Sequence, residues 1–140
     1  MTNRDSSVPL SFDPAGEFVV VRVVGDAGKA DYFGYARSVR DYCERHRCRR
    51  VLLDESNLSW PLDIFLAYDL AEWMVSSQFG MLIQRIACVT GGARFDMIAN
   101  MEVLAQNRGI NYRAFSDLQA AEEWLLSGIP GHPDPRFPPP

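Results

Sequence analysis

The sequence predicts an α/β domain built on a mostly parallel central sheet, and three observations carry that prediction. Short β-rich runs alternate with amphipathic helical segments along most of the chain. Three of these runs are apolar without strict alternation, as expected of strands covered on both faces. Strands separated by helices call for right-handed crossovers, which make neighbours parallel. The first two runs, VPLSF and EFVVVRVV, are instead joined by Asp13-Pro14-Ala15-Gly16, a turn suited to an antiparallel hairpin.

The expected order is ββαβαβαβα, with helices flanking the sheet. After the hairpin, residues 30–46 read as a helix. Tyr32, Tyr35, Ala36, Val39, Tyr42 and Cys43 share one face of it, and Arg37, Arg40, Asp41 and Glu44 share the other. RVLLD (50–54) is the next strand. Residues 62–78 form a second helix with Leu62, Leu66, Leu70, Trp73 and Met74 on one apolar face. Ile64, Tyr68, Ala71 and Val75 make another face beside it. Only Asp69, Glu72 and Ser76 form a polar stripe, so the apolar surface exceeds what one core stripe needs. RIACVT (85–90) is a strand and 94–107 a helix. In that helix Ile98, Met101, Leu104 and Ala105 suffice for a core, leaving Phe95, Ala99 and Val103 over. NYRAF (111–115) and a helix over 117–126 complete the order.

Residues 1–6 are expected to be frayed and 7–127 to form one domain. Residues 128–140 hold six of the nine prolines and read as a flexible tail, because proline neither continues a helix nor joins a sheet. A chain of 140 residues can close a single sizeable core. A net charge of −4 opposes a surface devoted to nucleic-acid phosphates. The amino-terminal residues lack the apolar core of a signal peptide and no apolar run reaches membrane-spanning length. The cytoplasm is therefore the expected compartment, with no membrane insertion.

Cys43, Cys48 and Cys88 are too few for a disulfide framework, and Cys43 and Cys88 read as small buried hydrophobes. Cys43, His46 and Cys48 spell C-x-x-H-x-C, short of the four ligands of a structural zinc site. No metal or cofactor is expected. Arg45, Arg47, Arg49 and Arg50 complement the negative end of the first long helix.

RRVLLDESNL running into a helix, RIACV as the next strand, and NRGINYRAFSDLQAAEEWL at the end carry a family likeness. They resemble the STAS domain, whose best-known members are bacterial anti-sigma-factor antagonists of the SpoIIAA type. The likeness is closer still to a branch of small SpoIIAA-like bacterial proteins, and it spans about residues 8–126. It implies a STAS-like fold, a regulatory role and a protein partner. It also places a strand-end acid at Asp54, with Ser56 and Leu58 downstream, and a kinase-phosphorylated switch serine at or beside Asp63. Here the chain reads PLDIF, and Ser59 lies a few residues early. The resemblance therefore implies a module without an intact switch serine. The residues alone give Asp63 a plainer role, since an acid in the first turn of a helix contributes about 0.3–1 kcal/mol. Pro61 just before it suits a helix start.

In parallel sheets ligands gather at the carboxyl ends of the strands. That rim collects Asp54, Ser56, Ser59 and Asp63 with Gly91, Gly92 and Arg94. The two glycines leave backbone N–H groups that can hold an anion, although the full dinucleotide and Walker A spacings are absent. Two histidines, at a helix end and in the tail, offer no Ser-His-Asp constellation, so no enzyme is expected. The expectation is a non-catalytic binding module, working as a homodimer or with another protein. Ile64, Phe65, Tyr68 and Trp73 would be its apolar anchors, and Phe95 a contributor from the next helix. The alternative is a small-ligand carrier, for a nucleotide or anion at the Gly91–Gly92 turn or an apolar molecule under the helices.

Overall fold

The computed structural model describes residues 10–25, 29–59 and 62–131. The expectations for residues 1–6, for Pro61 and for 132–140 of the tail lie outside the described residues. Five strands form one sheet in the order β1-β2-β3-β4-β5. β1 (Leu10–Pro14) pairs antiparallel with β2 (Val19–Val23). β3 (Arg50–Asp54), β4 (Arg85–Val89) and β5 (Tyr112–Phe115) then add in parallel. The hairpin turn falls where Asp13-Pro14-Ala15-Gly16 predicts it: Ala15 N–H donates to the Phe18 carbonyl, and Gly16 takes φ +78°.

The helices are α1 (Lys29–His46), α2 (Ile64–Ser76), α3 (Phe79–Leu82), α4 (Ala93–Gln106) and α5 (Leu118–Leu126). The strands add in sequence order, and α1, α2 and α4 share one core on one face of the sheet, as crossovers of a single hand require. The residues alternate accordingly. Val19, Val21, Val51, Leu53, Ile86 and Cys88 join the larger core with those helices. Val20, Leu52, Ala87 and Val89 pack with Ala121, Trp124 and Leu125 of α5 on the other face.

One element was not foreseen. Gln78 adopts a left-handed φ of 60°, which separates the end of α2 from the short α3. α2 itself runs shorter than 62–78, because Asp63 is its N-cap and Leu62 is buried just ahead of it. The arginine cluster is also divided. Arg45, Arg47 and Arg49 are exposed, whereas Arg50 is buried and serves a different helix. Its guanidinium donates to the carbonyls of Leu125 and Ser127, the latter across 2.9 Å, and so caps the end of α5 rather than that of α1.

Candidate functional site

Glu55 follows β3 by one residue, and its amide still donates to Val89. Period-two alternation places it on the face of Val51 and Leu53, beneath the helices, while Asp54 turns to the opposite face. Glu55 is 3% exposed, and a carboxylate this deep needs partners. Arg94, one residue inside α4, supplies an ion pair of 2.9 Å through Nη1 to Oε1. Charge rather than a well-aligned hydrogen bond holds that oxygen. Tyr35 of α1 donates to Oε2 across 2.9 Å. Arg94 also donates to Tyr32 Oη (2.7 Å) and Thr90 Oγ1 (3.1 Å). α1, the ends of β3 and β4 and the start of α4 are thereby tied at one buried point.

Burial and the nearby Glu55 charge push the phenols of Tyr32 and Tyr35 above their ordinary range. Burial is the largest single influence and would loosen the Arg94 proton, but the Glu55 carboxylate and the Tyr32 hydroxyl together outweigh it and the guanidinium stays charged. A cavity of about 40 Å³ lies against this cluster, with Glu55, Tyr32, Tyr35 and Tyr112 as its polar lining and Leu70 and Met101 among its apolar walls. That volume suits a few waters; small-molecule pockets run to roughly 300–1,000 Å³.

The rim residues resolve into local roles. Asp54 Oδ1 accepts from the Ser56 amide (3.2 Å) and from the Ser56 hydroxyl. Ser59 donates through both N–H and Oγ to the Gly25 carbonyl, each at 3.0 Å, tying the loop after β3 to the end of β2. Asp63 Oδ1 accepts from the Leu66 amide across 2.8 Å, the capping role read from the sequence. Gly91 and Gly92 are exposed, and Gly92 caps α4 with φ +60°. Arg94, however, is turned inward to Glu55, so it does not stand at that turn as a cation for an incoming anion.

The apolar anchors divide as well. Phe65 is 78% exposed, Ile64 50% and Tyr68 49%, all on one side of α2. Leu66, Ala67, Leu70, Ala71 and Met74 fill the core side. Arg108 lies over the Tyr68 ring at 5.0 Å while pairing with Glu72 at 2.9 Å, so the ring has a cation on one face. Trp73 is half-buried and meets Phe33 and Phe79 edge to face, so it braces the domain more than it presents a surface. Phe95 is half-buried, and Val103 of the same helix is 56% exposed.

Sequence reading missed the Glu55–Arg94–Tyr35 cluster. Its one available signal was the strand phase, which carries Glu55 to the helix side. Among the described residues no cluster of His, Cys, Asp and Glu is placed to hold a metal ion. None of the described helices is long and apolar enough to cross a membrane.

This arrangement is a STAS-like, SpoIIAA-type α/β fold. An uncharacterised protein with a SpoIIAA-like fold from Shewanella loihica superposes with a TM-score of 0.55 at 16% identity, over 89% of this chain and 98% of that one. An anti-sigma-factor antagonist from Mycobacterium paratuberculosis superposes at 0.61 and 11% identity, over 91% of this chain and 100% of its own. No family model and no curated protein matches the sequence.

Proposed function

We propose that this chain is a regulatory, non-catalytic protein-binding module of the STAS type, and that it self-associates through the outer side of α2. The observation that carries the reading is the row Ile64, Phe65 and Tyr68, three large apolar side chains left exposed on a single helix. Large side chains leave water when a partner covers them, and fully burying one contributes about 1.5–3 kcal/mol. The anti-sigma-factor antagonist with the same fold supports a protein partner. A second copy of the chain offers the same apolar row in return.

The phospho-switch is absent from this reading. The resemblance expects a serine at or beside Asp63, whose carboxylate already accepts from the Leu66 amide. A fixed cap in that place supports a module that does not depend on phosphorylation there. The module works in the cytoplasm.

Phe65→Asp tests the reading. It puts a charge at the most exposed apolar position and leaves the core untouched. Light scattering should show the wild type at a multiple of the chain mass and the variant at the chain mass, with an unchanged melting temperature. Equal masses for the two would sink the proposal.

The cavity beside Glu55 favours one second reading, a carrier for a small apolar molecule. It requires the helices to part, because about 40 Å³ is too little as it stands. A co-purifying ligand seen by native mass spectrometry would favour it.

A further inference from the structure

At the carboxyl end of α1 the Cys48 amide donates to the Cys43 carbonyl across 3.0 Å, and Arg47 between them takes a left-handed φ of 54°. These are the six-to-one bond and the left-handed residue of a Schellman stop. Such a stop sets the third residue from the helix end beside the second residue past it, and the two side chains usually make an apolar contact. Here both positions are cysteine, so the stop brings the Cys43 and Cys48 side chains to the same side of the helix end. We propose that Cys43 and Cys48 are a redox-active dithiol, which a low-molecular-weight disulfide oxidises to an intramolecular disulfide.

The two sulfurs differ in access. Cys43 is 2% exposed. Cys48 is half-buried and lines an open cleft of about 580 Å³ together with Arg47, Arg49, His46 and Glu17. A solute therefore reaches Cys48 first. The Cys43 S–H and the backbone N–H groups of Arg50 and Val19 all favour the Cys48 thiolate, lowering its proton affinity despite partial burial. The hydrogen bond to Cys48 and burial hold Cys43 as the thiol. When protonated, Cys48 donates instead to the Arg50 carbonyl across 3.2 Å. One sulfur thus borders the open cleft and is readily ionised, and the other is sheltered beside it. That is the pairing of an attacking and a resolving cysteine.

The chemistry balances with the solute as sole oxidant. The Cys48 thiolate attacks one sulfur of the solute disulfide; a protein–solute S–S bond forms and one solute thiolate leaves. Cys43 then attacks the Cys48 sulfur, its proton passing to the departing thiolate. The Cys43–Cys48 bond forms and the second solute thiol is released. The Cys48 thiolate and the Cys43 thiol together give up two electrons and the Cys43 proton, and the solute disulfide becomes one thiolate and one thiol; the thiolate takes up the proton that Cys48 released on ionising. Cys88, 0% exposed within β4, takes no part.

The test is to incubate the full reduced chain with oxidised glutathione, quench with acid, and map tryptic peptides without reduction. Trypsin cuts after Arg45 and Arg47, so residues 41–45 and 48–49 separate unless a disulfide joins them. The wild type should lose two hydrogens and yield those peptides joined. Cys43→Ser should stop at the first step and keep glutathione on Cys48, and Cys88→Ala should behave as wild type. A wild type that retains glutathione on either cysteine without the internal bond would overturn the proposal. So would one that stays reduced. The wild-type map decides even where a variant fails to fold.

Discussion

Glu55 and Arg94 close a buried ion pair of 2.9 Å that joins the end of β3 to the first turn of α4. Removing one partner strands the other charge in the core. Arg94→Met should therefore cost about 3–5 kcal/mol in urea unfolding. Replacing both, as Glu55→Gln with Arg94→Met, should cost clearly less than the sum of the single losses. Additive losses would show that the pair is not coupled.

The phenols packed around that pair predict an alkaline limit to stability. Tyr32, Tyr35 and Tyr112 are held above their ordinary value of 10.0, with burial as the largest cause in each. A raised value in the folded state means that the fold binds those protons more tightly than the unfolded chain does. Their contribution is intact below pH 10 and is lost as pH climbs above it toward the folded-state values. Tyrosinate absorbance should show these three rings ionising together with loss of structure. Ionisation in the still-folded protein would contradict it.

Asp63 carries a third expectation. Asp63→Ala removes the acceptor for the Leu66 amide and should cost about 1 kcal/mol, whereas Asp63→Ser should restore most of it, because serine caps comparably. Equal losses for the two would show that the charge matters and the cap does not.

Arg50 carries a fourth. Its guanidinium satisfies the carbonyls of Leu125 and Ser127, and Arg50→Met leaves both without that donor. Unfolding should become easier by roughly 1–3 kcal/mol. Amide exchange in α5 should quicken before exchange in β3 does; uniform quickening would contradict the local role.

Much of this architecture was legible in the sequence. The β-rich runs and the two apolar stripes of α2 have periods that a linear reading can detect; of the second stripe Ile64, Tyr68 and Val75 are exposed, whereas Ala71 is buried in the core. α3 has only four residues, too short for any period, and its start depends on a left-handed Gln78. Arg94 looked like a rim cation because two glycines precede it. Its burial depends on Glu55, a residue of another element, and no local pattern announces that pairing. Trp73 shared a stripe with the core residues Leu66 and Leu70, and only the ring contacts with Phe33 and Phe79 show how far it is drawn in. The Cys43–Cys48 contact follows from a helix stop at Arg47, a residue type that rarely adopts positive φ.

The central claim is that the outer side of α2 is covered by a second copy of the chain. Hydrogen exchange measured across a series of protein concentrations tests it most directly. Amides of residues 62–76 should exchange more slowly as concentration rises, while those of α5, on the opposite face of the sheet, should not change. Exchange independent of concentration, or protection that grows on α5 instead, would contradict the account.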